Sequence, residues 1–277
     1  MALPVLAPEL HGTGSDAEPE WRDVGADAVA LFFTLNLWLV VGSILMVGVT
    51  AVSLGIPVRT VPRELFIPGF AVYVVYLRDR RTVDDEDRLN HPLRTRLVET
   101  YDRPLYATEL LALGAYELAL WTTVPVGTAA GLAMLGVAHL PFVVLVAYSS
   151  LKGHPILDSL AVAVAWAALV VTSTVVAVPD VSAWAVAAVF LGWVLVVFAG
   201  VESRNVEDAD GDSRLRRETV ASLLGPGRAR ALVVLLKLSA AGVFWLVGGP
   251  LSVALLVCYL GYLRVCRGLT RTASLGQ

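Results

Sequence analysis

The chain has 277 residues, of which 57% are hydrophobic and only 16% charged, whereas a soluble domain carries about 25% charged residues. Long apolar runs alternate with short polar clusters, and most of the runs have almost no polar face, which excludes a soluble all-helical core. A net charge of −3 makes no case for nucleic acid as a partner.

Residues 1–27 carry Glu9, Asp16, Glu18, Glu20, Asp23 and Asp27 and read as a solvated, disordered leader. No basic region precedes an apolar core there, so no cleaved signal peptide is expected. Apolar spans then follow at about 28–50, 63–78, 106–122, 127–149, 156–178, 182–201, 231–247 and 251–266, with a tail at 267–277. Runs of this length match a hydrocarbon core about 30 Å thick at 1.5 Å rise per residue. The second span is short and contains Pro68, so it qualifies as a span only if its helix continues into the polar stretch beyond. Residues 122–127 (with Pro125), 179–180 and 248–250 read as turns closing helical hairpins. Cys258 and Cys266, in and beside the last run, read as small hydrophobes. The predicted fold class is an all-α polytopic membrane bundle of about eight transmembrane helices.

Basic residues set the orientation. Starting from the N-terminal side, one side of the bundle collects Arg22, Arg78, Arg80, Arg81, Arg88, Arg94, Arg96, Arg103 and Lys152. It also collects Arg204, Arg214, Arg216, Arg217, Arg228, Arg230, Arg264, Arg267 and Arg271, against Arg59 and Arg63 opposite. That side is expected to be cytoplasmic, with both termini, in a multi-pass protein of the cell membrane.

Two segments on the basic side carry acids and arginines together. The first contains Asp79, Asp84, Asp85, Glu86, Asp87, Asn90 and His91; the second contains Glu202, Asn205, Glu207, Asp208, Asp210 and Asp212. Each follows an even-numbered span, so four helices separate them, which predicts two pseudo-repeated four-helix units. On a helix Asp84 and Asp87 share a face, as do Asn205, Asp208 and Asp212. Oxygen ligands without histidine or thiolate suit Mg²⁺, and the interleaved arginines suit phosphate oxygens.

On these residues the region 28–266 resembles the UbiA-type intramembrane prenyltransferases. Asp87-Arg-Leu-Asn90-His91-Pro92 is similar to the end of that family's first acidic motif. Asn205, Asp208 and Asp212, with Asp210-Gly211-Asp212 as a core, resemble the second, and Leu223-Leu224-Gly225 continues the pattern. Tyr148-Ser-Ser-Leu-Lys152 resembles a Tyr-x-x-x-Lys element between them. The pattern departs at Arg80 and Val83, where the family has aspartates, with Asp84 one residue along. It departs also at Asn205, at Glu218, and in eight spans where the family has nine.

The resemblance implies Mg²⁺-dependent transfer of a prenyl group from a prenyl diphosphate to a hydrophobic, lipid-phase acceptor. It implies metal ligands at Asp79, Asp84, Asp87, Asn205, Asp208 and Asp212, with Asp84, Asp87, Asp208 and Asp212 catalytic. Tyr148, Lys152 and Arg217 would hold the diphosphate, and Trp38, Tyr73, Tyr76 and Trp166 are candidates for an aromatic wall around an allylic cation. The alternative is a non-catalytic relative that binds an isoprenoid or a partner protein. Outside these motifs, Glu117 is an intramembrane acid that either takes a proton from the acceptor or is bonded within the bundle. Lys237 is expected to snorkel to the interface. His139 has no partner at metal-ligand spacing.

Overall fold

The computed structural model describes residues 37–82, 92–151, 156–176, 180–214 and 219–275, with a few single positions beside them. Of 92–93, 149, 208–214 and 271–275 only the backbone path is described. The leader 1–27 and the side chains of Asp84, Asp87, Lys152 and Arg217 lie outside the described residues, as do those of Asp208 and Asp212.

The described chain is helical and contains no strand. Its helices are α1 (Trp38–Ser53), α2 (Ile67–Arg81), α3 (Pro92–Thr100), α4 (Asp102–Thr123), α5 (Ala129–Ala138) and α6 (Leu140–Leu151). They continue with α7 (Leu157–Val175), α8 (Ala183–Arg214), α9 (Val220–Leu224) and α10 (Pro226–Leu275), and a 3-10 turn, Val58–Thr60, lies between α1 and α2. Pro68 sits at the second position of α2, where its missing N–H has no intrahelical partner to lose. The Phe70 N–H bonds the Phe66 carbonyl across it as the helix begins, and a turn closed by the Leu65 N–H on the Val61 carbonyl precedes the helix.

α4 runs antiparallel to α2 and to α5. Arg81 at the end of α2 bonds Asp102 at the start of α4, and Tyr116 late in α4 donates to the carbonyl of Ala138 at the end of α5. α5 and α6 form one apolar run broken at His139. Thr128 caps α5 by accepting from the Gly131 N–H at 3.0 Å, which starts the helix just past the Pro125 turn. α10 folds back on itself at Gly249, whose φ of +66° favours glycine, with Pro250 beginning the second limb. Trp193 of α8 packs edge-on against Phe244 of the first limb at 5.1 Å and Tyr259 of the second at 5.4 Å. Fifteen helical residues would otherwise separate those two rings by about 22 Å.

Among the described residues, four stretches are long and apolar enough to cross a membrane: Ala129–Tyr148, Leu157–Val175, Ala183–Glu207 and Pro226–Thr270. Outward-facing Leu111, Leu118, Leu132, Val146, Leu246 and Val265 are exposed on the perimeter. So much apolar surface around a helical bundle is what lipid requires and water disfavours. The chain is consistent with a membrane protein.

The core is built by close approach of small residues. Gly42 of α1 faces Tyr259, Tyr262 and Leu263 of α10, and Gly192 of α8 faces the ring of Phe244. Trp193 donates its indole N–H to the Thr50 hydroxyl at 2.7 Å, tying α8 to α1 in the buried centre. The hydroxyl of Tyr262 donates to the Trp38 carbonyl at 2.6 Å, joining the start of α1 to the second limb of α10.

Candidate functional site

The start of α1, the end of α2, the start of α4, the end of α8 and the outer parts of α10 share one end of the bundle. Leu35, Leu77, Val98 and Leu105 pack together there, and Arg267 of α10 reaches Ser203 of α8. The polar chemistry of the described chain concentrates at this end.

The second acidic segment, beyond the apolar span expected at 182–201, is helix. α8 runs without interruption from its apolar stretch through Arg214. Positions 205, 208 and 212 therefore follow a regular helical path and fall on one face, within about 60° of arc. Above them Glu202 is only 1% exposed. Its Oε1 accepts from the Asn205 side-chain amide at 3.3 Å, while its Oε2 is buried with no hydrogen-bond partner. The amide held in this way turns its nitrogen toward Glu202 and leaves its oxygen as the atom available to a ligand. Asp158, in the first turn of α7 nearby, accepts from the Ser159 N–H at 2.6 Å.

The first acidic segment is described only in part. Asp79 is in the last turn of α2, where its carboxylate lies 3.7 Å from the guanidinium of the neighbouring Arg80. The stronger polar centre beside it was not anticipated. Arg81 donates to Glu109 at 2.6 Å and to Asp102 at 3.0 Å, and Arg78 lies 3.6 Å from Glu109. The Arg81 guanidinium also sits 4.7 Å over the ring of Tyr106. Burial of Arg81 opposes its charge, but the bonds to Glu109 and Asp102 outweigh that and raise its pKa. The signal was present in the spacing: Arg78 and Arg81 share one face of α2, and Asp102 and Glu109, seven apart, share one face of α4.

Of the other predicted residues, Tyr148 is half-buried in the last turn of α6. Tyr76 and Trp166 stack with ring centres 6.4 Å apart, linking α2 to α7. Tyr73 instead donates to the Thr108 hydroxyl at 2.7 Å, and Trp38 is buried against the core. Glu117 and His139 meet at 3.0 Å between α4 and the α5–α6 break. Asp79 and Asn205 come to the same end of the bundle without a bond between them, and among the described side chains no group of three or more acids, histidines or cysteines is arranged to hold a metal. Cys258 and Cys266 are free thiols.

No family model, no curated protein and no solved structure matches this chain.

Proposed function

We propose that this chain is a Mg²⁺-dependent, UbiA-type intramembrane prenyltransferase. In this reading eight spans form two four-helix units in the cell membrane, with both termini cytoplasmic. The observation that carries it is the uninterrupted helix from the apolar stretch of α8 through Asp212. It offers Asn205, Asp208 and Asp212 as a one-sided ligand ladder at the end of the bundle where α2 delivers Asp79.

The donor set is oxygen-only, with Asn205 held by its amide nitrogen and its oxygen left available, which fits a hard cation. Asp79, Asp84, Asp87, Asn205, Asp208 and Asp212 would hold Mg²⁺, which when bound neutralises the diphosphate as a leaving group. Lys152 and Arg217 attract the diphosphate, and Tyr148 orients it from the end of α6. The Tyr76–Trp166 stack presents π faces suited to an allylic cation. The apolar bundle around it excludes water that would otherwise capture that cation.

Purified protein incubated with labelled prenyl diphosphates and total membrane lipid tests the reading. Transfer to lipid should require Mg²⁺ and be lost in Asp208→Ala and in Asp212→Ala. Prenyl diphosphate binding unchanged by EDTA counts decisively against it.

One observation favours a second reading, a non-catalytic relative that binds an isoprenoid or a partner protein. Asp79 is engaged by Arg80, the residue that stands where the family has an aspartate. In that case the first motif has lost its ligand set, and the protein binds prenyl diphosphate without turnover.

A further inference from the structure

The described tryptophans divide by placement. Trp38, Trp166 and Trp193 are buried in the bundle, whereas Trp121, Trp184 and Trp245 are 57%, 63% and 57% exposed on its perimeter. Helix continuity puts all three exposed rings at the end of the bundle opposite the polar one. Asp102 bonds Arg81 at the polar end, and Trp121 stands nineteen residues further along α4, about 28 Å away at 1.5 Å per residue. Ser203 bonds Arg267 at the polar end, and Trp184 stands nineteen residues earlier on the uninterrupted α8, again about 28 Å away. Ala229 of α10 packs with Val206 of α8. Trp245 follows Ala229 by sixteen residues, about 24 Å, and lies one turn before the fold at Gly249. Direct packing agrees, since Trp184 and Leu246, the neighbour of Trp245, line one apolar groove between α8 and α10.

An exposed indole suits neither bulk phase. Water disfavours its apolar ring, and hydrocarbon leaves its N–H unbonded. None of these three N–H donors has a hydrogen-bond partner among the described residues. The boundary where hydrocarbon meets headgroups answers both demands, with the ring among acyl chains and the N–H reaching ester carbonyls or water. The spacing fits as well, because roughly 24–28 Å of helix between the polar end and the rings is close to a hydrocarbon core about 30 Å thick. The rings also continue the apolar perimeter, with Leu118 a turn before Trp121 and Leu246 beside Trp245.

We propose that Trp121, Trp184 and Trp245 form an aromatic belt that docks this end of the bundle in the headgroup boundary of a phospholipid leaflet, the leaflet remote from the polar end. The belt depends on the bundle crossing a bilayer and not on prenyl transfer.

The full chain with fluorotryptophan in place of tryptophan, reconstituted in phosphatidylcholine bicelles, tests the belt by fluorine NMR. Trp121→Phe, Trp184→Phe and Trp245→Phe each remove and so assign one resonance, and the remaining signals, unmoved, show that each variant is folded. Three paramagnetic probes are then compared: a lipid spin-labelled near its headgroup, a lipid spin-labelled near its chain end, and a water-soluble gadolinium chelate. The headgroup-proximal label should broaden the three assigned resonances severalfold more than the chain-end label does, and should affect the buried indoles far less. Stronger broadening by the chain-end label places the rings in mid-hydrocarbon, and broadening by the chelate alone places them in water. Broadening by none of the three means that a second copy of the chain or another protein covers them. Each of these results overturns the belt. The measurement uses neither Mg²⁺ nor a prenyl diphosphate, so a failed belt leaves the prenyltransferase reading standing, and a failed transfer assay leaves the belt.

Discussion

The Nε2 of His139 and the Oε1 of Glu117 lie 3.0 Å apart in the apolar part of the bundle, joining α4 to the point where α5 gives way to α6. The Nδ1 of the same ring lies 2.7 Å from the Leu135 carbonyl. Since a carbonyl only accepts, that nitrogen carries a proton, and the hydrogen bond to Glu117 uses the other one. Each side chain is a little over a third exposed. The pair answers a question the sequence left open, in favour of a bond within the bundle.

Glu117→Leu should therefore destabilise the protein by about 1 kcal/mol, the range of buried interhelical polar bonds in membrane bundles. The double variant Glu117→Leu/His139→Leu should lose less than the sum of the singles. Denaturation in detergent across the four-member cycle measures the coupling; strictly additive losses exclude a working pair.

The Arg81–Glu109 contact is more demanding, because the Glu109 side chain is only 8% exposed. Arg81→Met should cost about 3 kcal/mol, toward the low end for an orphaned buried charge because Arg78 remains 3.6 Å away. Adding Glu109→Leu should restore most of that loss. The unfolding free energies of the single and double variants check it, and an unrescued double variant refutes the account.

Packing at α8 makes a third prediction. A Cβ at position 192 would lie 2.8 Å from the Phe244 ring, whereas one at Gly200 would meet nothing within 4 Å. Gly192→Ala should destabilise by about 1–3 kcal/mol through overpacking. Gly200→Ala should be neutral or slightly stabilising. Equal melting temperatures for the two variants would contradict the close approach of α8 to α10.

Topology is tested by labelling. If the basic end of the bundle faces the cytoplasm, as proposed, Ser213→Cys should resist impermeant thiol reagents added outside intact cells and react after permeabilisation. Labelling from outside reverses the orientation.

The first acidic motif separates enzyme from non-catalytic relative. If Asp84 supplies the ligand absent at Val83, Asp84→Asn abolishes transfer without unfolding the protein, and Val83→Asp gives little gain or a loss from added like charge. If the motif has decayed, the wild type transfers no prenyl group and Val83→Asp gains activity. An active wild type indifferent to Asp84→Asn removes that residue from the site.

Much of the fold was legible because hydropathy and turn chemistry agree: the Pro125 turn, the α7 and α8 stretches and the reversal at Gly249 fall at the expected positions. The kink at 248–250 could be read locally, since glycine permits positive φ and proline begins a helix well. What sequence did not reveal was continuity and pairing. α8 carries its acidic segment as helix through Arg214, whereas the apolar run that marks its span stops at about 201, so hydropathy alone does not show where the helix ends. The pairs Arg81–Glu109 and Glu117–His139 depend on which helix lies beside which, and one-dimensional periodicity carries no such information. Glu202 illustrates the same limit: it stands in a charged segment of the sequence, yet it is buried at the root of the acidic helix face.

The bond from Tyr262 to the Trp38 carbonyl joins residues 224 positions apart, and this governs the order in which the molecule can be completed during synthesis. α1 is made early, yet part of its packing surface, including Gly42, is covered by Tyr259, Tyr262 and Leu263. No arrangement of the first 250 residues supplies that cover. The bundle stays open along one seam until residues 259–263 have been made, and closing it brings together residues more than 200 positions apart, the slow class of contact. A released chain ending at Gly249 leaves Trp193 with one of its two edge-on aromatic neighbours and leaves α1 partly uncovered. The second limb of α10 acts as the latch of the fold, and products lacking it present an unsealed helix surface to membrane quality control.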